Sequence, residues 1–444
     1  MNSKNLYIKT YGCQMNVYDS LKMEALLKPH GFRIIQDELD ADLIILNTCH
    51  IREKASEKVY SELGKISVNN SGQKPIIVVA GCVAQAEGEY IFKRAKNVNI
   101  VVGPRSYHSL PKLLEKVKRQ EKWVIDLDFD KENKFDNIDL PASPSHSSFL
   151  TIQEGCNKFC HFCCVPYTRG VEYSRKIPEI YREALGLVSK RVKEITLLGQ
   201  NVSAFHGEDE KGNSRSLGWL IKKLAKIEGL KRIRYTTSHP KDMVDDELFE
   251  VHQEEPKVMP FLHLPVQSGS NRILKSMNRR HDRDFYFKII EKFRKYRSDI
   301  AFSSDFIVGY PNETDEDFKD TLNLVKHVKY AQCYSFKYSP RPGTPASIME
   351  NQVQEEVKTE RLVALQQLLR EQQMEFNKQF IGKEIDVLFD KLGKYKEQII
   401  GKSPHLQSVI VRGSVNLIGS IKKVRIIHAN VNSMNGVISI TKNK

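Results

Sequence analysis

Four cysteines stand within nine residues of the segment "GCNKFCHFCC": Cys156, Cys160, Cys163 and Cys164. Thiols at that density can close a disulfide knot, hold zinc or hold an iron–sulfur cluster. The chain opens "MNSKNLYIKTYGC", with no basic segment followed by an apolar run, so no secretory leader is expected. No apolar stretch reaches the ~20 residues that cross a bilayer; "PIIVVAGC" and "ADLIILNTC" are strand-length. The expectation is a cytoplasmic chain with no membrane partner, where thiols stay reduced and a disulfide framework is out of place. Zinc usually takes four ligands as two pairs, and no second CxxC or HxxxH pair is present. His161 is a poor fourth ligand, crowded between cysteines. Three thiolates at a three-then-two spacing, Cys156, Cys160 and Cys163, suit a four-iron cluster and leave one iron open to a small chelating molecule. Zinc remains the rival.

A second trio is scattered along the chain. Cys13, Cys49 and Cys82 each end a predicted strand, in "KTYGC", "ILNTC" and "VAGC". Neighbouring strands of an open parallel sheet share one crevice at their carboxyl ends. Three thiols meeting there predict a second metal cluster, again with an open iron. Gly12 and Gly81, directly before two of these cysteines, would let backbone approach that cluster. Cys164 is superfluous to either trio and reads as a small buried hydrophobe. Cys333 lies inside a predicted strand and reads as packing.

The elements that must position these residues follow from the apolar pattern. At ~150 residues per domain, a chain of 444 residues suggests about three domains. Residues 1–125 alternate short apolar strands with helical segments near 19–29, 53–66, 84–96 and 107–119, and Asp19, Ser56 and Ser106 lie near plausible helix starts. This is an open α/β domain. A polar, Pro- and Ser-bearing linker spans 126–147. Residues 148–376 repeat strand then helix six times, short of the eight units of a closed barrel, and end in a charged helix over 353–376. The first trio's loop follows the first of these strands, at the carboxyl face where such barrels carry chemistry. Residues 377–444 hold five short β-branched strands, a small barrel of OB type. The fold class is therefore α/β and multidomain. Lys and Arg outnumber Asp and Glu by 69 to 55. From Asn377 onward, twelve basic residues face four acidic ones. That concentration points to an anionic partner, most simply nucleic acid.

The CxxxCxxC loop on a six-unit barrel resembles the radical S-adenosylmethionine superfamily. Together with the strand-end trio, the whole chain resembles the methylthiotransferase family, which has an amino-terminal cluster domain, a radical barrel and a carboxy-terminal barrel of the TRAM type. "YGCQMNVYDS" and "NTCHIREKASEKVYSELG" are similar to the MiaB-type branch acting on tRNA, and "PYTRGVEYSR", "LLGQNV", "HLPVQSGSNRILKSMNRRH", "DFIVGYPNET" and "YSPRPGTPA" match the same pattern. The sister branch, acting on a ribosomal-protein aspartate, carries Cys-Pro-Lys-Asn where this chain has Cys13-Gln14-Met15-Asn16.

The resemblance implies two [4Fe-4S] clusters, on Cys13, Cys49, Cys82 and on Cys156, Cys160, Cys163, with S-adenosyl-L-methionine as cofactor. The implied substrate is a tRNA anticodon stem-loop carrying N6-isopentenyladenosine, modified at carbon 2 through a 5′-deoxyadenosyl radical. The second cluster is implied to carry the inserted sulfur, and a second S-adenosylmethionine the methyl group. An external electron donor and a sulfur or cluster-assembly donor are implied partners. Phe162 matches the aromatic position near the cofactor's adenine. Gln200 and Asn201 sit where cofactor hydrogen bonds are expected, and Ser238 and Gln267 occupy equivalent strand ends. Tyr338 and Arg341 are placed to meet substrate. His239, His263 and His281 are not distinguished from structural histidines. No side chain is assigned as a catalytic acid or base. A cluster-bearing RNA sensor without turnover is the alternative, disfavoured because sensor clusters usually have every iron ligated.

Overall fold

The computed structural model describes residues 4–50, 53–66, 69–70, 72–119, 121–129 and 145–439. They fall into two compact units. The first comprises Met1–Ala142, Glu154–Tyr173 and Arg341–Thr344, and the second Ser143–Gln153, Ser174–Pro340 and Pro345–Lys444. No helix among the described residues is long and apolar enough to cross a membrane.

The first unit is built on six parallel strands: β1 (Lys4–Thr10), β2 (Phe32–Ile34), β3 (Leu43–Thr48), β4 (Ile76–Gly81), β5 (Ile100–Val102) and β6 (Val124–Asp126). Their order is β2-β1-β3-β4-β5-β6. The central strands β3, β4 and β5 are nearly continuous apolar runs because both their faces are covered. Leu43, Ile45, Val78, Ala80, Ile100 and Val102 pack with Met23 and Leu27 of α1 (Gln14–Leu27) and Leu110, Leu113 and Leu114 of a later helix. The alternate residues Ile44, Leu46, Ile77, Val79 and Val101 pack with Val59 and Leu63 of α2 (Glu53–Leu63), Ala84 of α3 (Cys82–Glu87) and Ile91 and Phe92 of α4 (Tyr90–Arg94). The helix expected over 84–96 is two helices, broken at Gly88, whose φ of +52° suits glycine. The helix expected over 107–119 is α5 (Leu110–Lys118), preceded by a 3-10 turn capped at Ser106. Asp19 lies inside α1, not at its start, because Cys13 is the N-cap. The polar stretch from Asp126 begins on β6, and residues 130–144 lie outside the described residues.

In the second unit β7 (Ser147–Thr151) opens a series of parallel strands. Gln153–Glu154 (β8) and Tyr173–Ser174 (β9) are two-residue strands on either side of the cysteine loop, which belongs to the first unit and carries the short α6 (Val165–Thr168). The series continues with β10 (Glu194–Leu198), β11 (Arg232–Tyr235), β12 (Phe261–His263), β13 (Ala301–Val308) and β14 (Gln332–Lys337). They form two three-stranded sheets, β7-β10-β11 and β12-β13-β14, joined by an Ile233–Val258 bridge. The intervening crossovers carry α7 (Ile177–Ser189), α8 (Leu217–Ala225), α9 (Asp246–Glu254), α10 (Asn271–Ser276), α11 (Arg283–Tyr296) and α12 (Asp315–Val328), and α13 (Glu355–Lys378) follows. This is the six-unit open barrel the pattern predicts. Five more strands, β15 (Glu384–Leu392), β16 (Gln398–Lys402), β17 (Ser408–Arg412), β18 (Ile421–Ala429) and β19 (Met434–Ile438), close a small barrel in the order β15-β16-β17-β19-β18. Its core of Val387, Phe389, Ile399, Val409, Val411, Val424, Ile426 and Met434 draws on all five strands.

Candidate metal centre and cofactor site

Sheet order brings the strand-end trio together. β1, β3 and β4 are neighbours, with Thr10 opposite Asn47 and Thr48 opposite Gly81. Cys13, Cys49 and Cys82 thus follow three adjacent strand ends, at the point where strand order reverses between β1 and β3. A buried amide lattice fixes the head of α1 against β3. Asn16 Nδ2 donates to Asn47 Oδ1 (3.1 Å) and to the Thr48 carbonyl (2.9 Å), while Asn47 Nδ2 donates to the Asn16 carbonyl (2.8 Å). The Cys13 thiol donates to Asn16 Oδ1 at 3.2 Å. Thr48 Oγ1 accepts from Val83 N (3.2 Å), which anchors α3 and with it Cys82.

The hydrogen bond between Cys13 and Cys49, which outweighs burial, lowers the Cys13 thiol to about 6, and Arg169 adds to the effect. Burial raises that of Cys82, with Arg169 opposing. Gly12 has φ +106°, and a Cβ there would fall 2.1 Å from Cys49 Cβ. A Cβ on Gly81, φ +90°, would fall 2.4 Å from the Thr48 carbonyl oxygen. The two glycines therefore let the strand ends close on one another, a tighter role than the expected approach to a cluster.

The trio of Cys156, Cys160 and Cys163 sits on a loop with a closed neck. Cys156 N donates to the Gly170 carbonyl (3.2 Å), and Gly155, φ +76°, has no room for a Cβ, which would lie 2.1 Å from the Val171 carbonyl oxygen. Cys163 N donates to the Cys160 carbonyl (2.9 Å). Burial pushes the Cys156 thiol up to about 11 and that of Cys163 well above its ordinary value, where the neighbouring Cys164, Cys160 and Cys156 add to the effect. Phe162 is half-buried beside Cys163. Among the described residues no group of three or more His, Cys, Asp and Glu side chains is set to hold a single metal ion. A four-iron cluster is a larger body than one ion and holds its thiolates farther apart, so each all-thiol trio fits a cluster by its donor chemistry.

Residues that sequence reasoning missed connect the two trios. Arg169, Asp19 and Glu154 are at most 2% exposed. Arg169 Nη2 donates to Asp19 Oδ2 (2.8 Å) and Nη1 to Glu154 Oε1 (2.6 Å). The only sequence signal was a charged residue inside the "PYTRG" loop, and its partner lies 150 positions away.

In the second unit the strand-end residues have mixed surroundings. Gln153 Oε1 accepts from the backbone N–H groups of both Gln200 (2.9 Å) and Asn201 (3.1 Å). The Asn201 amide donates to Asp242 Oδ2 (2.7 Å) and accepts from His239 N (3.0 Å), so the chain itself engages both its ends. Ser238 Oγ is buried with no hydrogen-bond partner among the described residues. Thr237, directly before it, has φ +70°, and Gln267 has φ +78°. Left-handed backbone at two non-glycine strand ends is strain of the kind concentrated at ligand sites. Tyr338 is 3% exposed and packs on Tyr310 with ring centroids 5.3 Å apart, so it is not open to a substrate. Arg341 is buried in the first unit and acts electrostatically on His50 and Cys164. His263 Nδ1 lies 3.0 Å from Ser303 Oγ and Nε2 lies 3.6 Å from Asp305 Oδ2, a pairing no spacing disclosed.

Comparison with known proteins bears on each part of the chain. A model described as Uncharacterized protein family UPF0004 matches residues 5–103, one for the Radical SAM superfamily matches 150–325, and one for the TRAM domain matches 378–438. The chain is 59% identical to the tRNA-2-methylthio-N(6)-dimethylallyladenosine synthase of Rickettsia bellii, over 98% of this chain and 99% of that protein. It is 58% identical to the protein of the same name from Rickettsia prowazekii, over 98% of this chain and 100% of the other. Among solved structures, a radical S-adenosylmethionine methyltransferase from Kitasatospora setae, with cobalamin and a [4Fe-4S] cluster bound, aligns with a TM-score of 0.59 at 11% identity. The alignment covers 78% of this chain and 77% of that one and speaks for the fold alone.

Proposed function

The chain belongs to the tRNA-2-methylthio-N(6)-dimethylallyladenosine synthase family, and from that premise we propose that its two cysteine trios serve one reaction. The protein is a tRNA methylthiotransferase of the radical S-adenosylmethionine class. It adds a methylthio group to carbon 2 of an adenosine that already bears an isopentenyl group on N6, beside the anticodon. The observation that carries this reading is the gathering of both trios into one compact unit, one at adjacent strand ends and the other on a glycine-necked loop.

Cys13, Cys49 and Cys82 would hold one [4Fe-4S] cluster, and Cys156, Cys160 and Cys163 the other. When bound, the clusters and S-adenosylmethionine supply the radical, the sulfur and the methyl group that the reaction consumes. The chain's own share is positioning. Gln153 orders the Gln200–Asn201 turn through two backbone N–H groups. The buried Ser238 hydroxyl and the strained turns at Thr237 and Gln267 would offer polar contacts to the cofactor. The basic small barrel, residues 377–444, meets the phosphates of the tRNA anticodon stem-loop. Residues 1–125 would act as the cluster domain, 126–147 as linker and 148–376 as the radical barrel. An external electron donor and a sulfur donor complete the cycle. A tRNA substrate supports a cytoplasmic location for the chain.

Anaerobic reconstitution with iron and sulfide tests the reading. About eight irons per chain, falling to about four when Cys13, Cys49 and Cys82 become Ala, is the expected result. An unchanged count near four would remove the second cluster, and with it the source of sulfur. Turnover assays on isopentenylated tRNA and on a ribosomal protein then separate the two branches of the family.

A further inference from the structure

We propose that Arg169 tunes the reduction potential of the cluster on Cys13, Cys49 and Cys82, holding a buried positive charge against Cys82 under the control of Asp19 and Glu154. The proposal rests on the reading that this trio binds a cluster.

Arg169 comes from the loop that carries Cys156, Cys160 and Cys163, yet its buried guanidinium donates to Asp19 on the helix that Cys13 caps, and its charge bears on the Cys82 and Cys13 thiols. Two carboxylates fix its orientation, Asp19 Oδ2 at 2.8 Å and Glu154 Oε1 at 2.6 Å. Each comes from the backbone of a different trio: Asp19 lies on α1, which Cys13 caps, and Glu154 precedes Cys156 by two residues. A second guanidinium completes the group, with Arg105 Nε 4.0 Å from Glu154 Oε2 and Arg105 Nη2 donating to the Val171 carbonyl at 2.7 Å. Tyr107 is buried against the same carboxylates and stays neutral, so it adds no charge. Among these four residues two cations and two anions therefore balance.

Net charge and hydrogen bonds to the sulfurs are what a protein uses to set a cluster's potential, and outer partners of metal ligands are held in place for that purpose. A buried charge acts strongly because little water screens it. Adding an electron to the cluster is favoured by Arg169 and opposed by Asp19. Arg169 reaches a ligand and not the substrate, so it is a positioning residue rather than a catalytic one.

The test uses the full chain with Cys156, Cys160 and Cys163 changed to Ala, so that one cluster titrates in an EPR-monitored redox titration. Asp19→Asn should move the midpoint potential upward and Arg169→Gln downward, with Arg169→Lys staying nearer the parent than Gln does. A residue that only supports the fold would not give shifts of opposite sign. Unmoved potentials, or shifts in one direction, with about four irons still bound would overturn the proposal. If melting shows that Arg169→Gln fails to fold, Asp19→Asn decides alone, and no upward shift overturns it. A parent chain that binds no iron would overturn the cluster reading itself and this inference with it.

Discussion

Cys164 Sγ lies 3.9 Å from the carbonyl oxygen of His50, the residue after Cys49, across 114 positions of sequence. The fourth cysteine of the loop is thus packed against the end of β3, with Cys82 as its strongest ionisable influence. Burial pushes its thiol up to about 11, so it is protonated at neutral pH. A buried, protonated thiol is a packing group. Cys164→Val should therefore leave the iron count and the turnover of tRNA within about twofold, at under about 1.5 kcal/mol of stability. Iron analysis with a thermal melt checks this; loss of iron in the variant would make Cys164 a ligand.

Gln153 and Gly199 make a second, sharper test. A Cβ on Gly199 would fall 2.4 Å from Gln153 Oε1, the atom that receives the Gln200 and Asn201 N–H groups. Gly199→Ala should push that oxygen away and leave two donors unpaired, one of them buried. The expected loss is about 2–4 kcal/mol of stability. The Gln200–Asn201 turn should shift as well, so binding of S-adenosylmethionine should weaken at least about tenfold, one decade being about 1.4 kcal/mol. Denaturant titration and equilibrium dialysis measure the two effects separately. A fully stable variant with normal cofactor affinity would show that the turn does not depend on this contact.

Asp317 carries an acid-sensitive part of the barrel. Burial pushes its carboxyl up, but Arg272, Ser270 Oγ (2.6 Å) and Thr314 N (2.8 Å) all donate to it and hold it well below the usual carboxylate range. A group lowered in the folded state stabilises the fold above its unfolded value of about 3.9 and loses that contribution as pH falls through the folded value. Asp317→Asn should therefore be markedly less stable at pH 7, with the deficit shrinking below about pH 4. Denaturation curves at both pH values check the sign.

Much of this arrangement was legible in the chain, and the reasons differ by element. The six barrel strands and the five small-barrel strands were readable because each is a compact β-branched or apolar run between turn residues. β2 and β6 were missed because each has three residues, too few for a pattern, and each lies at a sheet edge. Asp19 was read as a helix start because acidic residues favour first turns; its partner Arg169 lies 150 residues away, and no local rule predicts such a pairing. His263 met the same difficulty: its distance from Asp305 is a property of β12 lying beside β13, not of either segment. Residues that act locally through spacing were visible, and residues that act through tertiary pairing were not.

The last prediction concerns how the small barrel is held. Arg234 Nη1 and Nη2 donate to the carbonyls of Pro404 and Ser403, both at 2.8 Å, and Arg232 donates to those of Lys402 (2.8 Å) and Asp386 (2.9 Å). Both arginines lie on β11, and Glu194 of β10 lies between them, 3.1 Å from Arg234 Nε and 3.7 Å from Arg232 Nη1. Two planar forks thus grip four backbone carbonyls of a barrel more than 150 residues away. Arg234→Ala would leave two carbonyls without these donors and Glu194 with one distant cation, a change of about 3–5 kcal/mol. Arg234→Lys should rescue little, because a point charge cannot serve two carbonyls and a carboxylate at once. Calorimetry should show the small barrel melting apart from the rest, and tRNA affinity should fall while the iron count stays unchanged. A single unshifted transition in Arg234→Ala would mean that apolar packing around Phe376 and Phe380 holds the barrel without the arginines.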